Sequence, residues 1–286
     1  MDKQKKMQEL RVLAAQIRME TMKIIGARGF GHVGGSMSMA DAMAVVYGAY
    51  MKIKPENPRW EDRDWFVLSK GHAGPVMYAT LGIMGYYPVS DAYQLNQPGT
   101  DFPSHTDRNK TKGVDLTTGS LGQGISEAVG AALGMKLKKK DNKVFVAVGD
   151  GEADEGQVWE AAQFAVHYKL DNLICLVDNN KRQLDGPTDQ VMSHKKGVGA
   201  RFDSLGWNVI DVKDGNDVEE IYDAIAKAYE TKEVPTVLIL NTIKGKGATF
   251  AEPTGAHSSQ PSQEEWDQGI AAVEAAYEAI KANEKA

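Results

Sequence analysis

A single cysteine, Cys175, stands in the 286 residues. One thiol cannot build an internal disulfide framework, so cross-links do not hold this fold, and a reducing compartment is implied. Its setting in the apolar run LICLV reads as a core thiol rather than a reactive one. No run of about eighteen apolar residues is found, which excludes a membrane-spanning helix. Positive charge is not in excess either. Lys and Arg number 33 against 39 Asp and Glu, a net charge of −6, which argues against nucleic acid or an anionic membrane as partner. Internal repeats, low-complexity tracts and Pro/Ser-rich linkers are missing, so one domain over residues 1–286 is the simplest organisation. The opening MDKQKKMQELRVLA contains no apolar core of a signal peptide. With 42% hydrophobic and 25% charged residues, the composition is that of a globular domain. The expectation is a soluble, cytoplasmic protein.

What is present is a pattern of alternating elements. Leu10, Leu13, Ala14, Ile17, Ile24 and Ile25 recur at three- and four-residue steps and predict a first helix, which stops in a glycine-rich loop from Gly26 to Gly35. A second helical stretch follows, with Ser38 or Asp41 as N-cap and Met43, Val46, Tyr47 and Tyr50 as its apolar stripe. Trp65 to Leu68 reads as a short buried strand ending in SKGHAG, and Val76 to Met84 as a helix. From Tyr86 to Thr118 the chain is irregular for longer than loops usually are, which hints at function. Then Val144–Val148, Leu173–Val177, Trp207–Val212 and Thr236–Leu240 read as strands. Helices separate them, one of them Glu155–His167, and a last helix runs from Gln263 to about Lys281 before a frayed KANEKA. Apolar strands separated by helices predict an α/β fold with an open, mainly parallel sheet covered on both faces.

The most specific chemistry begins where the VFVAV strand ends, at Gly149-Asp150-Gly151. The next strand ends in Asp178-Asn179-Asn180. One strand–helix–strand unit separates Asp150 from Asn180 and puts both at the carboxyl edge of the sheet, where open α/β sheets bind ligands. A carboxylate and an amide oxygen there suit Mg²⁺, a hard cation that takes phosphate oxygens as further ligands. Gly149 and Gly151 let the backbone approach a diphosphate closely. Gly29, Gly31 and Gly34 also satisfy G-x-G-x-x-G, but a dinucleotide fingerprint must follow a strand, and this loop follows a helix.

The pattern resembles the thiamine-diphosphate-binding motif. The segments GHVGGS (Gly31–Ser36), SKGHA (Ser69–Ala73), TTGSLGQG (Thr117–Gly124), GDGEADEGQVWEA (Gly149–Ala161) and DNNKRQLDG (Asp178–Gly186) resemble those of transketolases, in the same order. IKGKG (Ile243–Gly247) followed by His257 continues the likeness, which covers essentially the whole chain. The resemblance implies a thiamine-diphosphate-binding domain of the PP type, with Mg²⁺, or Ca²⁺ or Mn²⁺ in its place. Asp150, Asn180 and the backbone carbonyl of Arg182 are the implied metal ligands. Gly119, Ser120 and Leu121 should lie along the cofactor, His72 should contact the diphosphate, and Lys244 should neutralise it. His32 and His257 should face the substrate carbonyl, with His257 also at the cofactor, and His105 should contact the bound sugar. Imidazoles suit these tasks because their pKa lies near working pH. Glu155 and Glu160 fall where transketolases keep glutamates near the subunit contact. His167 and His194 match no motif and read as structural. Ser258 stands where the family commonly has glycine.

The resemblance also implies what lies elsewhere. Cofactor activation in this family needs a glutamate on the aminopyrimidine, from a pyrimidine-binding domain of a neighbouring chain. Donor-phosphate-binding residues also lie beyond the first domain. The expectation is the N-terminal subunit of a split transketolase, assembled as α2β2 with a second chain carrying the pyrimidine-binding and C-terminal domains. It would move a two-carbon ketol unit from a ketose phosphate to an aldose phosphate. Alternatives are the same split enzyme specialised for a sulfonated ketose (6-deoxy-6-sulfofructose) or a branched one (apulose phosphate), and a regulatory subunit that binds cofactor without catalysis. An enzyme using thiamine diphosphate to make a deoxysugar phosphate from pyruvate fits less well, given SKGHA, TTGSLGQG, His32 and His105.

Overall fold

A computed structural model describes residues 3–258 and 260–283. Five strands form one parallel sheet: β1 (Trp65–Leu68), β2 (Val144–Gly149), β3 (Leu173–Asp178), β4 (Asn208–Val212) and β5 (Thr236–Leu240), in the order β1-β2-β3-β5-β4. Its central strands are rich in β-branched side chains, which fit a pleated surface buried on both sides. Alternate residues face opposite ways. Phe145, Ala147, Ile174, Leu176 and Leu238 pack into one core with α1 (Lys3–Gly26), α3 (Ala40–Val45), α4 (Gly74–Ile83) and α9 (Val218–Glu230). Val144, Val146, Val148, Cys175 and Val177 pack into another with α5 (Gln123–Leu137), α6 (Gly156–His167) and α8 (Val198–Leu205). Each Val, Leu, Ile or Phe among them, fully removed from water, contributes roughly 1.5–3 kcal/mol. A third cluster joins α1 to α10 (Gln263–Ala282) through Met22, Ile25, Trp266 and Val273.

The expected strands and the covered parallel sheet are present. Two local expectations are corrected. The glycine-rich loop is shorter than Gly26–Gly35, because Gly34 and Gly35 lie in a one-turn helix, α2 (Val33–Met37). Neither Ser38 nor Asp41 caps the next helix. Met39 holds the N-cap position of α3 without a side-chain bond. Ser38 Oγ instead donates to Asp178 Oδ2 (2.7 Å), and Asp41 pairs with Arg18. Helix α5, rich in small residues and with three glycines, carries no clear periodic signal in the sequence. Between Tyr86 and Thr118 only one short 3-10 segment forms, Val89–Gln94. A further short helix, α7 (Thr188–Val191), follows β3. The expected fraying of KANEKA falls largely on residues 284–286, outside the described residues. No helix among the described residues is long and apolar enough to cross a membrane.

Candidate active site

The loops after β1, β2, β3 and β5 leave the sheet at one edge. Gly149 is in register with Asp178, and Asp178 with Leu240, so Asp150, Asn180 and Lys244 start from neighbouring strand ends. Together with Gly35 of α2 and Leu121 they wall a cavity of about 380 Å³. Its polar side carries Lys70, His72, Asp150, Asn180, Lys244 and His257; Leu121, Leu184, Val191 and Met192 form an apolar side. Glycine makes the close packing possible. A Cβ on Gly34 would lie 2.1 Å from the carbonyl oxygen of Ala256, and one on Gly71 would lie 2.9 Å from the backbone nitrogen of Gly119.

The floor holds the Asp150–Asn180 pair. Asp150 is buried, and its Oδ1 accepts a hydrogen bond from the Gly151 backbone N–H at 2.8 Å. Burial, and next the nearby Asp178 carboxylate, push its carboxyl up to about 6. Asn180 Oδ1 accepts from the Arg182 N–H (3.1 Å), and its amide donates to Asp178 Oδ2 (3.0 Å). Lys244 Nζ donates to the Arg182 carbonyl (2.9 Å), and burial pulls its ammonium down to about 8. A buried carboxylate that resists ionisation beside an amide oxygen and a carbonyl is a donor set short of one cation. Among the described residues no three His, Cys, Asp or Glu side chains group as metal ligands. The protein oxygens therefore suit a hard cation that completes its shell from phosphate and water. The residues fit a metal–diphosphate group.

Above the floor the four loop histidines meet. His32 is central, its ring 5.4 Å from His72, 5.2 Å from His257 and 6.0 Å from His105; His72 and His257 are 4.7 Å apart. Burial lowers the pKa of His72 to about 2, with Lys70 adding to the effect, and that of His257 to about 4, with Lys244 adding. Burial, and then His105, lower His32 as well. Neutral imidazoles able to donate and accept line the mouth.

The remaining expectations divide. Gly151, Leu121 and Arg182 line the cavity. Gly119 backs His105, whose ring a Cβ there would meet at 3.6 Å. Ser120 is exposed and lies outside the cavity wall. Glu155 lines the cavity, whereas Glu160 points along α6 into a separate groove beside Phe164. His167 sits at the end of α6 against Tyr168. His194 is better tied than its sequence context suggests, with Arg201 at Nδ1 (3.0 Å) and Asp154 Oδ1 at 3.0 Å from Nε2. Ser258 is not among the described residues with left-handed φ, so the backbone there does not require glycine.

Sequence reasoning missed the buried polar residues beneath the site. Lys70, 1% exposed, donates to the Gly35 carbonyl (2.7 Å) and pairs with Asp178. Asp178 also accepts from Ser38, Thr242 and Asn180. Burial pushes its carboxyl up, but Lys70 and these donors outweigh it and hold the pKa below the usual range. The signal available was a lysine and an aspartate directly beside motif residues, at the very ends of apolar strands.

With this geometry in place, comparison with known proteins is direct. A family model described as the transketolase thiamine diphosphate binding domain matches residues 10–277. The chain is 44% identical over 267 residues to the 6-deoxy-6-sulfo-D-fructose transketolase subunit SqwG of a Clostridium species, covering 93% of this chain and 96% of that one. To one of the apulose-4-phosphate transketolase subunits of Phocaeicola vulgatus it is 33% identical over 257 residues, covering 90% of each. The solved transketolase from Leishmania mexicana superposes with a TM-score of 0.84 at 30% identity, over 96% of this chain but only 45% of that one. The chain thus matches subunit-sized relatives end to end and spans under half of a one-chain transketolase.

Proposed function

The chain belongs to the transketolase N-terminal family, the thiamine-diphosphate-binding domain of transketolases, and on that premise we propose that it is the diphosphate-binding subunit of a two-chain transketolase. The observation that carries the proposal is the convergence of four imidazoles, neighbouring rings 4.7–6.0 Å apart, two of which, His72 and His257, line one cavity with Asp150 and Asn180. Asp150, Asn180 and the Arg182 carbonyl would hold Mg²⁺ against the diphosphate, and Lys244 and His72 would meet its remaining oxygens. Leu121, Gly119 and Leu184 would border the ring end. Held there, thiamine diphosphate would supply the nucleophilic carbon and the electron sink that ketol transfer needs.

This chain's own part is binding, orientation and proton transfer. His32 and His257, held neutral by burial, can donate to a carbonyl oxygen as it gains charge and accept a hydroxyl proton as the carbon–carbon bond breaks. His105, exposed at the rim, would hydrogen-bond the sugar. The aminopyrimidine glutamate and donor-phosphate residues would come from a C-terminal subunit, giving a cytoplasmic α2β2 assembly with each site between chains. A second reading, a sulfonated ketose as donor, is favoured by the 44% identity to SqwG along 96% of its length.

The test is a ketol-transfer assay of the purified chain alone and with a C-terminal transketolase subunit encoded beside it, offering fructose 6-phosphate and 6-deoxy-6-sulfofructose as donors. Activity is expected only from the pair, with Mg²⁺ and thiamine diphosphate present. Full transfer by the chain alone overturns the two-chain proposal, and the preferred donor decides between the two readings.

A further inference from the structure

Three loops that wall the site come from distant parts of the chain, and one buried side chain holds them all. Glu152, 2% exposed, lies just after the metal motif. Its Oε1 accepts from Ser69 Oγ at 2.5 Å and from the Gly122 backbone N–H at 2.8 Å, and its Oε2 accepts from the Gly149 N–H at 3.0 Å. Ser69 opens the loop that carries His72. Gly122 follows Leu121 on the apolar side, and Gly149 precedes Asp150 on the floor.

The packing around this carboxylate leaves the loops no slack. A Cβ on Gly124 would lie 2.6 Å from Ser69 Cα, and one on Gly122 would lie 2.8 Å from Glu155 Cβ. Three donors converge on two oxygens, so only an acceptor-only group satisfies them. An ionised carboxylate is that group, whereas a carboxamide turns an N–H toward one of the donors. Ser69 and its neighbour Lys70 also divide their work, Ser69 holding Glu152 and Lys70 holding Asp178.

We propose that Glu152 is a positioning residue that fixes the separation between the Leu121 side, which takes the cofactor's ring, and the Asp150 floor, which takes metal and diphosphate. The role rests on the cofactor reading above. It makes a prediction that general structural support does not. A ligand spanning both walls needs their spacing, and a ligand seated only on the floor does not.

The experiment is calorimetric titration of the two-chain complex with Mg²⁺ and either thiamine diphosphate or inorganic diphosphate. Wild type, Glu152→Gln and Ser69→Ala are compared, with melting temperatures alongside. Glu152→Gln is expected to weaken thiamine diphosphate roughly tenfold, the scale of one misplaced buried hydrogen bond, while diphosphate changes by less than about threefold. Ser69→Ala, which removes one donor and leaves the carboxylate, is expected to shift the same ratio in the same direction, by roughly threefold. It carries the comparison should Glu152→Gln fail to fold. Equal weakening of both ligands, or a ratio left at its wild-type value, overturns the positioning role alone. A wild type with no preference for thiamine diphosphate over diphosphate overturns the cofactor reading, and the proposal with it.

Discussion

At the scale of the residue, the site is a set of groups held away from their solution charge states. His32, His72 and His257 are kept neutral by burial, with pKa values of about 2 for His72 and about 4 for His257, whereas in the unfolded chain each titrates near 6.5. Below about pH 6.5 the unfolded state therefore takes up protons that the folded state refuses. Their contribution is full above that value and is lost as pH falls toward 4 and beyond. For His72 the loss is roughly 1.4 kcal/mol per pH unit. Asp150, raised to about 6, acts in the opposite sense, because the folded state keeps its proton between about pH 6 and 4. Burial raises the carboxyls of Asp64, Asp115 and Glu152 as well, and these act with Asp150, so the histidine contribution is read from a difference between variants. Between pH 7 and pH 5 the metal-free wild type should lose more melting temperature than His72→Gln, which lacks the buried imidazole. A slope as steep in the variant as in wild type would contradict the burial argument.

At the scale of the element, contact between backbones decides what can change. Helix α2 presses Gly34 against the segment that carries Lys244 and His257, with the Gly245 N–H donating to the Gly34 carbonyl at 3.0 Å. A methyl group at Gly34 would sit inside the Ala256 carbonyl and 3.0 Å from Lys244 Cγ, so it must push that segment outward. Gly34→Ala is expected to lower kcat/KM of the assembled enzyme at least about tenfold and to lower Tm by several degrees. Gly130, in α5 with open space around the missing Cβ, is the contrast. Gly130→Ala should stabilise the isolated chain by about 0.5–1 kcal/mol through helix propensity. Thermal denaturation and kinetics of the two variants check both signs. Legibility in the sequence divides along the same line. Strands such as VFVAV and LICLV announce themselves by composition. Helix α5 does not, because the less buried Ala131, Leu133 and Leu137 blur the stripe of Ile125, Ala128, Val129, Ala132 and Met135 that it buries.

At the scale of the whole molecule, ligand binding and folding are linked. Saturating Mg²⁺ and thiamine diphosphate should raise the melting temperature of the two-chain complex, by the equivalent of about 2.7 kcal/mol at a hundred times the dissociation constant. Asp150→Ala should abolish that rise and leave the melting temperature without ligand little changed or higher, since a disfavoured buried carboxyl is removed. An undiminished rise in the variant would refute Asp150 as the metal anchor. The sequence by itself determined the parallel α/β architecture, the Asp150–Asn180 pair at the carboxyl edge and the family likeness, because apolar period, strand-end spacing and motif order are all local along the chain. Through the family likeness it singled out His32, His72, His105 and His257 but not their mutual distances. Only the tertiary structure decided that four rings converge, that Ser120 is exposed, and that Lys70, Glu152 and Asp178 tie the loops together. Those facts rest on hydrogen bonds and backbone contacts between segments tens of residues apart, set by the packing of the sheet rather than by any local pattern.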